Sequence, residues 1–480
     1  MMTKRNLKIY SFTLIMMLTV FSSCKKLVSI PDPTGSITTA KVFANDSEAS
    51  SAMAGVYTQL INYSADGATG LNGFATGMST IFGAFSANEL VGSSTSSSYY
   101  LYNLNRVLAD DGQALMIWKT AYNAIYGCNA VVEGVAASVS PKLHDNIKQR
   151  LTGEAKFVRA FSYFYLVNFF GDVPLALTVD FNQTASMKKT PKSEVYAQMI
   201  KDLLDAKSTL PSDFSGAGGE RIVPTKWAAT ALLARVYLYV GDYVNASAQA
   251  SELIGQTALF NLPSDLNTVF LSTSQEAIWQ LKQTNQGINK NATPEGYTLF
   301  SNPVFAYLSE DLKSDFEEND QRKKAWCLID TVSQQPRYHP YKYKIGEVNA
   351  VFNGTITEYS VVFRLAEQYL IRAEAQTLGN LSLGQAITDL NVIRKRAGLN
   401  DLPGTLSRDQ VISAIEHERE IELFAEWGHR FFDLKRTGRA HDVLSAVKIK
   451  QPWTGDYQLL YPIPRPEIIA NQNLIQNPGY

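Results

Sequence analysis

The stretch from Glu154 to Pro174, EAKFVRAFSYFYLVNFFGDVP, limits the possible folds more than any other. Between Ala155 and Phe170, apolar residues fall on nearly every face of a helix and leave no solvated side. A helix apolar all round lies inside a protein or a membrane. Lys156, Arg159, Ser162 and Asn168 interrupt this run, and it falls short of the ~20 apolar residues that a span needs. The pattern therefore predicts a buried helix around which other helices pack. Gly171 suits the left-handed position that ends a helix, and Pro174 prevents its restarting. Upstream, Ser140 is a good N-cap and Pro141 a good first residue. With Gly153 tolerated, one helix is expected to run from Pro141 to Phe170.

A chain of 480 residues can bury a large core, as one large domain or two intimate ones. Its 44 Lys and Arg against 45 Asp and Glu give no electrostatic argument for nucleic acid. Tyr (24) and Phe (23) are plentiful while only 19% of residues are charged, which suits sugars or protein partners better than phosphates. Most rings in any fold are nonetheless core. Cys128 sits in a helical pattern and reads as a small buried hydrophobe, and Cys128 with Cys327 makes no disulfide framework.

Lys4, Arg5 and Lys8 precede an apolar run from Ile9 to Phe21, a basic n-region and an h-region too short to span. Phe21-Ser22-Ser23-Cys24 then places small residues directly before a thiol. An ordinary signal peptide with an incidental cysteine is the plain reading. Lipidation of Cys24 is the sharper one, because the thiol falls where cleavage is due. Several acyl chains at ~0.8 kcal/mol per buried CH₂ make a durable membrane anchor. Residues 1–23 are thus expected to be a lipoprotein signal peptide, and 24–38, rich in Pro, Ser and Thr, a tether.

A first helix is expected over Asp46–Asn62. Residues 63–111 lose helical period and are punctuated by glycine, and Ser93–Ser98 is nearly all hydroxyl. A loop of that length is usually functional or disordered. Helix returns at Gln113–Ala137, and again from Thr190 and Pro191 to Pro211. Thr225–Gly255 reads as a helix pair turning at Gly241 and Asp242, with Leu233, Ala234, Tyr237, Gly241, Tyr243 and Ala246 on the tetratricopeptide pattern. A similar pair recurs at Val361–Arg396, with Ser-x-x-Gln capping boxes at Ser382 and Ser407. Such pairs bury a core only by stacking on neighbours. Residues 256–360 carry short β-prone runs, Glu276–Lys282, Trp326–Ile329 and Tyr341–Ile345, and read as an inserted subdomain. The tail 441–480 is expected to pack as an ordered segment. The expected fold is mainly α: tetratricopeptide-like pairs form a scaffold (39–62, 112–255 and 361–440) with irregular parts (63–111 and 256–360), all one domain over 39–480.

No phosphate loop, HExxH, metal-type histidine spacing or nucleophile–base pair is present, and no local pattern nominates a pair of catalytic carboxylates. No cofactor and no metal site is expected. The charge run Glu416–Arg439 spaces Glu426 and Arg430 at i,i+4 and Asp433 and Arg436 at i,i+3. It reads either as a catalytic or ligand-binding acid–base cluster or, as we favour, as ion pairs fastening a helix to its neighbours. Sugar sites use aromatic faces against CH-rich sugar faces, with amides and carboxylates taking the hydroxyls. Two loop regions qualify: Asn88, Tyr99, Tyr100 and Tyr102, and Tyr297, Phe300 and Phe305. Trp326, in an apolar run, is expected to be buried.

EAKFVRAFSYFYLVNFFGDVP, FRLAEQYLIRAEAQ, LNVIRKRAGL, EHEREIELFAEWGHRFFDLKR and YPIPRPEIIANQNLIQNPGY, in that order behind the Cys24 lipobox, resemble the SusD/RagB family of outer-membrane nutrient-uptake lipoproteins. The resemblance spans essentially the whole chain. It implies a helical scaffold, no catalysis, oligosaccharide capture, and delivery to a SusC-type TonB-dependent outer-membrane transporter that faces the repeat side. Lys25 and Lys26 stand where some members carry acidic surface-export residues. Two alternatives keep the architecture: peptide cargo, or a lipid-anchored scaffold for another protein.

Overall fold

The computed structural model describes residues 39–62, 71–285, 287, 289–332 and 334–480. Cys24, the signal segment and the tether lie outside these residues. The major helices are α1 (Asp46–Asn62), α2 (Ser79–Ser86), α3 (Gly112–Ala137), α4 (Asp145–Phe170), α5 (Lys192–Thr209), α6 (Lys226–Tyr239), α7 (Tyr243–Ile254), α8 (Pro294–Leu299), α9 (Leu365–Leu378), α10 (Leu383–Arg396), α11 (Arg408–Leu423) and α12 (His429–Arg436). Among the described residues six short strands accompany them: β1 (Leu90–Gly92), β2 (Ala277–Leu281), β3 (Ala306–Leu308), β4 (Cys327–Val332), β5 (Gln335–Pro340) and β6 (Ser360–Arg364). They pair antiparallel in three two-stranded ladders, β1–β3, β2–β6 and β4–β5.

Helix α4 is the axis. Every residue from Glu154 to Phe170 except Lys156 is buried. The Phe161 ring alone meets Phe74, Tyr165, Trp279, Phe363 and Trp427 at centroid distances of 5.1–6.1 Å. The polar interruptions are satisfied sideways. Arg159 donates to Asp202 on α5 (2.8 and 2.7 Å) and to Asn129 on α3 (2.8 Å), and Lys156 to Asp205 (2.6 Å). Gly153 has a packing reason, since a Cβ there would stand 2.3 Å from Thr209 Oγ1 at the end of α5. Gly171, at φ +79°, stops the helix. The start differs from expectation. Pro141 lies in a turn and α4 begins at Asp145: Ser140 Oγ donates to the carbonyl of Ala44 (2.6 Å) and accepts from the Lys142 amide (3.3 Å), which closes a turn before the helix.

The repeat pairs are present. Ala234 and Ala246 are fully buried where α6 meets α7, and Gly241 (φ +78°) makes the turn. Arg235 ties α6 to α9 through both oxygens of Glu367 (2.6 and 2.7 Å). Ser407 and Gln410 form a reciprocal capping box on α11. Ser382 accepts from the Gln385 amide, but the Gln385 side chain turns to Asp389, so that box is half made. Ser360–Arg364, expected as helix in part, is the strand that pairs with β2, and Tyr341–Ile345 forms no strand. The glycine-punctuated region is mostly interior where it is described. All eight residues of α2 are buried, as are Phe74–Met78 before it. Among the described residues no helix is long and apolar enough to cross a membrane.

Candidate functional site

The two irregular segments meet through β1 and β3, with Leu90 opposite Leu308, Val91 opposite Tyr307 and Gly92 opposite Ala306. The Ser93 amide extends the ladder to the carbonyl of Phe305 (3.0 Å). Phe305 is thereby carried beside Phe85, at the end of α2, with centroids 6.1 Å apart and planes at 22°. Tyr99 closes the group, 5.8 Å from Phe305 and 5.6 Å from Phe82. The result is a hollow of about 240 Å³ whose walls are Phe85, Tyr99, Tyr100 and Phe305 with Gly92, Ser93, Ser94 and Ser97. No charged side chain lines it. Rings with hydroxyls beside them can stack on the CH face of a sugar and bond its rim.

The floor is rigid. Asn103, buried, donates to the carbonyl of Leu90 (2.8 Å) and accepts from the Gly92 amide (3.0 Å), pinning β1. Lys450, fully buried, donates to the carbonyls of Phe85 (3.0 Å) and Asn103 (2.9 Å) and to Asn105 Oδ1, tying the C-terminal tail to both ends of the wall. Burial pulls its ammonium down to about 7. No sequence signal separates Lys450, which is buried, from Lys448 two residues before it.

Tyr99, Tyr100 and Phe305 come together as one wall. Tyr102 does not belong to it. It is fully buried, stacked on Phe82 (4.2 Å), and its hydroxyl is spent on Asp111 Oδ1 (2.6 Å), which also caps α3. The Tyr100–Asn103 segment is one helical turn, and residues two apart on a helix face away from each other. Tyr102 therefore supports the hollow from beneath. Asn88, in the left-handed region at φ +63°, has an amide nitrogen already donating to Asp311 (2.7 Å).

Tyr297 and Phe300 lie elsewhere, on and just after α8. Phe300 packs on Tyr341 (5.0 Å) and His339 (6.1 Å), and the gap beside it is only about 10 Å³, the scale of one water. Among the described residues no ring of this group stacks on Tyr99 or Tyr100.

The charge run is structural. Glu426 accepts from Lys342 and Arg364 (Nε 2.8 Å), and Arg430 turns to Glu416 and Glu420 (3.4 and 3.0 Å). The i,i+4 pair does not form because Ala425, Trp427 and Gly428, all at positive φ, break the helix between them. Asp433 and Arg436 do pair, at 2.8 Å. Trp326 and Cys128 are both fully buried. Glu317, His417 and Glu418 have metal-type donors within 4.8 Å of one another, but Arg394 Nη1 already bonds both carboxylates (2.5 and 2.9 Å) and supplies the countercharge there.

Comparison with known proteins agrees with this architecture. A family profile described as "Starch-binding associating with outer membrane" matches residues 56–238, and the SusD family profile matches residues 195–480. SusD-like protein P2 of Formosa agariphila is 29% identical over 429 residues, 77% of this chain and 81% of that protein. The starch-binding protein SusD of Bacteroides thetaiotaomicron is 34% identical, over only 25% of this chain and 21% of its own. Among solved structures, a laminarin-binding SusD-like protein superposes with a TM-score of 0.74 at 27% identity, covering 91% of this chain and all of that one. A SusD superfamily protein from Bacteroides vulgatus, at 21% identity and TM-score 0.76 over 91% of this chain and all of its own, shares the fold. With the SusD profile matching more than half of its length, and relatives that match it nearly end to end in three dimensions, the chain belongs to the SusD family.

Proposed function

We propose that this protein is a non-catalytic, lipid-anchored binding protein that captures oligosaccharides in the Tyr99–Tyr100–Phe305 hollow. We further propose that it delivers them, at the outer membrane, to a SusC-type TonB-dependent transporter. The observation that carries the reading is the hollow itself: rings and hydroxyls without a charged group, held on a rigid floor. The names of the laminarin-binding and starch-binding relatives support a glucan as the first class to try. The anchor rests on the Cys24 lipobox, and the transporter rests on family membership.

Isothermal titration against laminarin and starch oligosaccharides, then other plant and microbial glycans, tests the cargo. Saturable binding lost in Tyr100→Ala supports it, and silence across every class overturns it. Purification of the native chain from membranes tests the partner: an outer-membrane barrel should come with it. Recovery of peptides in that preparation, with no glycan binding, would instead assign peptide cargo.

A further inference from the structure

Beside the hollow, the β1–β3 ladder meets two charged side chains. Tyr307 stands opposite Val91 in that ladder, two residues and so ~7 Å along β3 from Phe305, a wall of the hollow. The β4–β5 hairpin lies against it. Its register sets Asp330 directly opposite Arg337, which puts both side chains on one face of the hairpin. That face meets Tyr307: the Arg337 guanidinium lies over its ring, 5.3 Å from the centroid. Burial, and then the Asp330 carboxylate beside it, raise the Tyr307 hydroxyl, while Arg337 pulls it down. One ring therefore gathers both charges.

Opposite charges so placed commonly pair across a ladder. These do not. Asp330 turns to the Tyr307 hydroxyl and accepts from the Thr331 amide (2.7 Å), while Arg337 stays over the ring. Among the described residues Arg337 makes no ion pair and no hydrogen bond, so all its N–H donors are open. Arg337 is exposed and Asp330 half-buried, so both are within reach of a ligand on this face.

A guanidinium only donates and a carboxylate only accepts. Two neighbouring hydroxyls on a sugar ring satisfy both at once: one oxygen accepts from Arg337, and the other hydroxyl donates to Asp330. A lone hydroxyl satisfies one of them, and an anionic sugar would meet Asp330 with like charge. A 1,4-linked glucan keeps a neighbouring pair, at C2 and C3, on every internal unit. A 1,3-linked glucan keeps none on its internal units, because C3 carries the linkage. We propose, on the reading that the hollow holds glycan, that Asp330 and Arg337 form a polar lip beside it. The lip grips two neighbouring hydroxyls on the next unit of the chain and so favours 1,4-linked over 1,3-linked glucans.

The test is titration of the full chain with maltohexaose and laminarihexaose, six-unit glucans with 1,4 and 1,3 linkage. Maltohexaose is expected to bind more tightly. Arg337→Met keeps a stem over Tyr307 and removes every donor. It should weaken maltohexaose ~10-fold, the scale of a charge-assisted hydrogen bond, and leave laminarihexaose within about twofold. Arg337→Lys keeps the charge without the planar fork and should recover only part of the loss. Asp330→Ala should likewise weaken maltohexaose alone. Melting curves of the Arg337 variants should not move, since that side chain is exposed. Tighter binding of laminarihexaose, equal losses for both glucans, or no loss for either would overturn the lip. A loss of affinity in Tyr100→Ala under the same conditions would then show that the hollow holds glycan without it. Silence of the unaltered chain toward both glucans would also overturn the lip.

Discussion

Two glutamates a short way apart in the fold are driven in opposite directions. Glu422 and Glu89 are both buried, and burial raises any carboxyl. Around Glu422, Arg396, Arg364 and Arg322 reverse that effect and hold the acid far below its usual range. Around Glu89, burial is reinforced by Glu420, and the pull of Arg430 and Lys342 does not compensate, so the acid rises to about 8. One of its oxygens has no partner. The difference separates two kinds of interior. The helical half around α9–α12 is locked by guanidinium–carboxylate contacts. The segment beneath β1, which carries the hollow, is held by rings and by single hydrogen bonds, those of Asp111 and Lys450 among them, instead of by guanidinium–carboxylate pairs. Fixed charge suits a scaffold, whereas a surface proposed to accept a hydrated neutral ligand gains nothing from it.

The harshest way to break the contrast is Arg364→Met. It removes one partner each of Glu276, Glu422 and Glu426 at once and leaves Arg396, Arg322 and Lys342 to balance three buried acids. We expect a loss of ~3–5 kcal/mol in urea unfolding, the scale for stranding a buried charge. An effect near zero would mean that the lock is ornamental. Next comes Tyr100→Ala in the hollow. Glycan affinity should fall by ~1–3 kcal/mol, a scale taken over from aromatic stacking on nucleic-acid bases, while the unfolding midpoint stays put. Loss of both together would mean that the ring is scaffold.

Glu89→Gln tests the uncharged side by pH. The folded-state value lies above the unfolded value of about 4.5, so the folded chain holds the extra proton between the two. That contribution is complete below pH ~4.5 and is lost as pH rises through about 8. Denaturant titrations from pH 5 to 9 should show stability declining, with Glu420, raised to about 7, adding in the same direction. The Gln variant, a permanent mimic of the protonated acid, should flatten part of that slope by on the order of 1–2 kcal/mol. An unchanged slope would remove Glu89 from the account. The smallest effect expected is for Tyr297→Ala. If the hollow alone holds the glycan, affinity should stay within about twofold, roughly 0.4 kcal/mol. A larger drop would extend the site to α8.

How much of this was legible depended on the range of the interaction. Helix α4, the Gly171 stop and the repeat pairs were readable because their signals lie within a few turns of sequence. The charge run was readable as structure, but its partners were not. Glu426 pairs with Lys342 and Arg364 across the fold, and the left-handed residues Ala425, Trp427 and Gly428 interrupt the expected spacing. For the hollow, the hydroxyl run and the tyrosines pointed to the right segment. Tyr102 was grouped with them only because the one-turn helix at Tyr100 was not foreseen. The union of Phe305 with Phe85 and Tyr99 had no local signal, since it depends on strands of three residues each.

That union has a thermodynamic corollary. Leu90 and Leu308 are paired across 218 positions of chain, so the two walls of the hollow exist as a unit only in the fully closed molecule. A sugar gripped by both walls has almost no affinity for any species in which they have parted. Occupancy must then raise the free energy of global unfolding by mass action, by about 2.7 kcal/mol at a hundredfold excess over the dissociation constant. If the hollow takes the proposed glycan, that ligand would double as a staple between distant halves of the polypeptide, and the empty form is the one a protease would cut first.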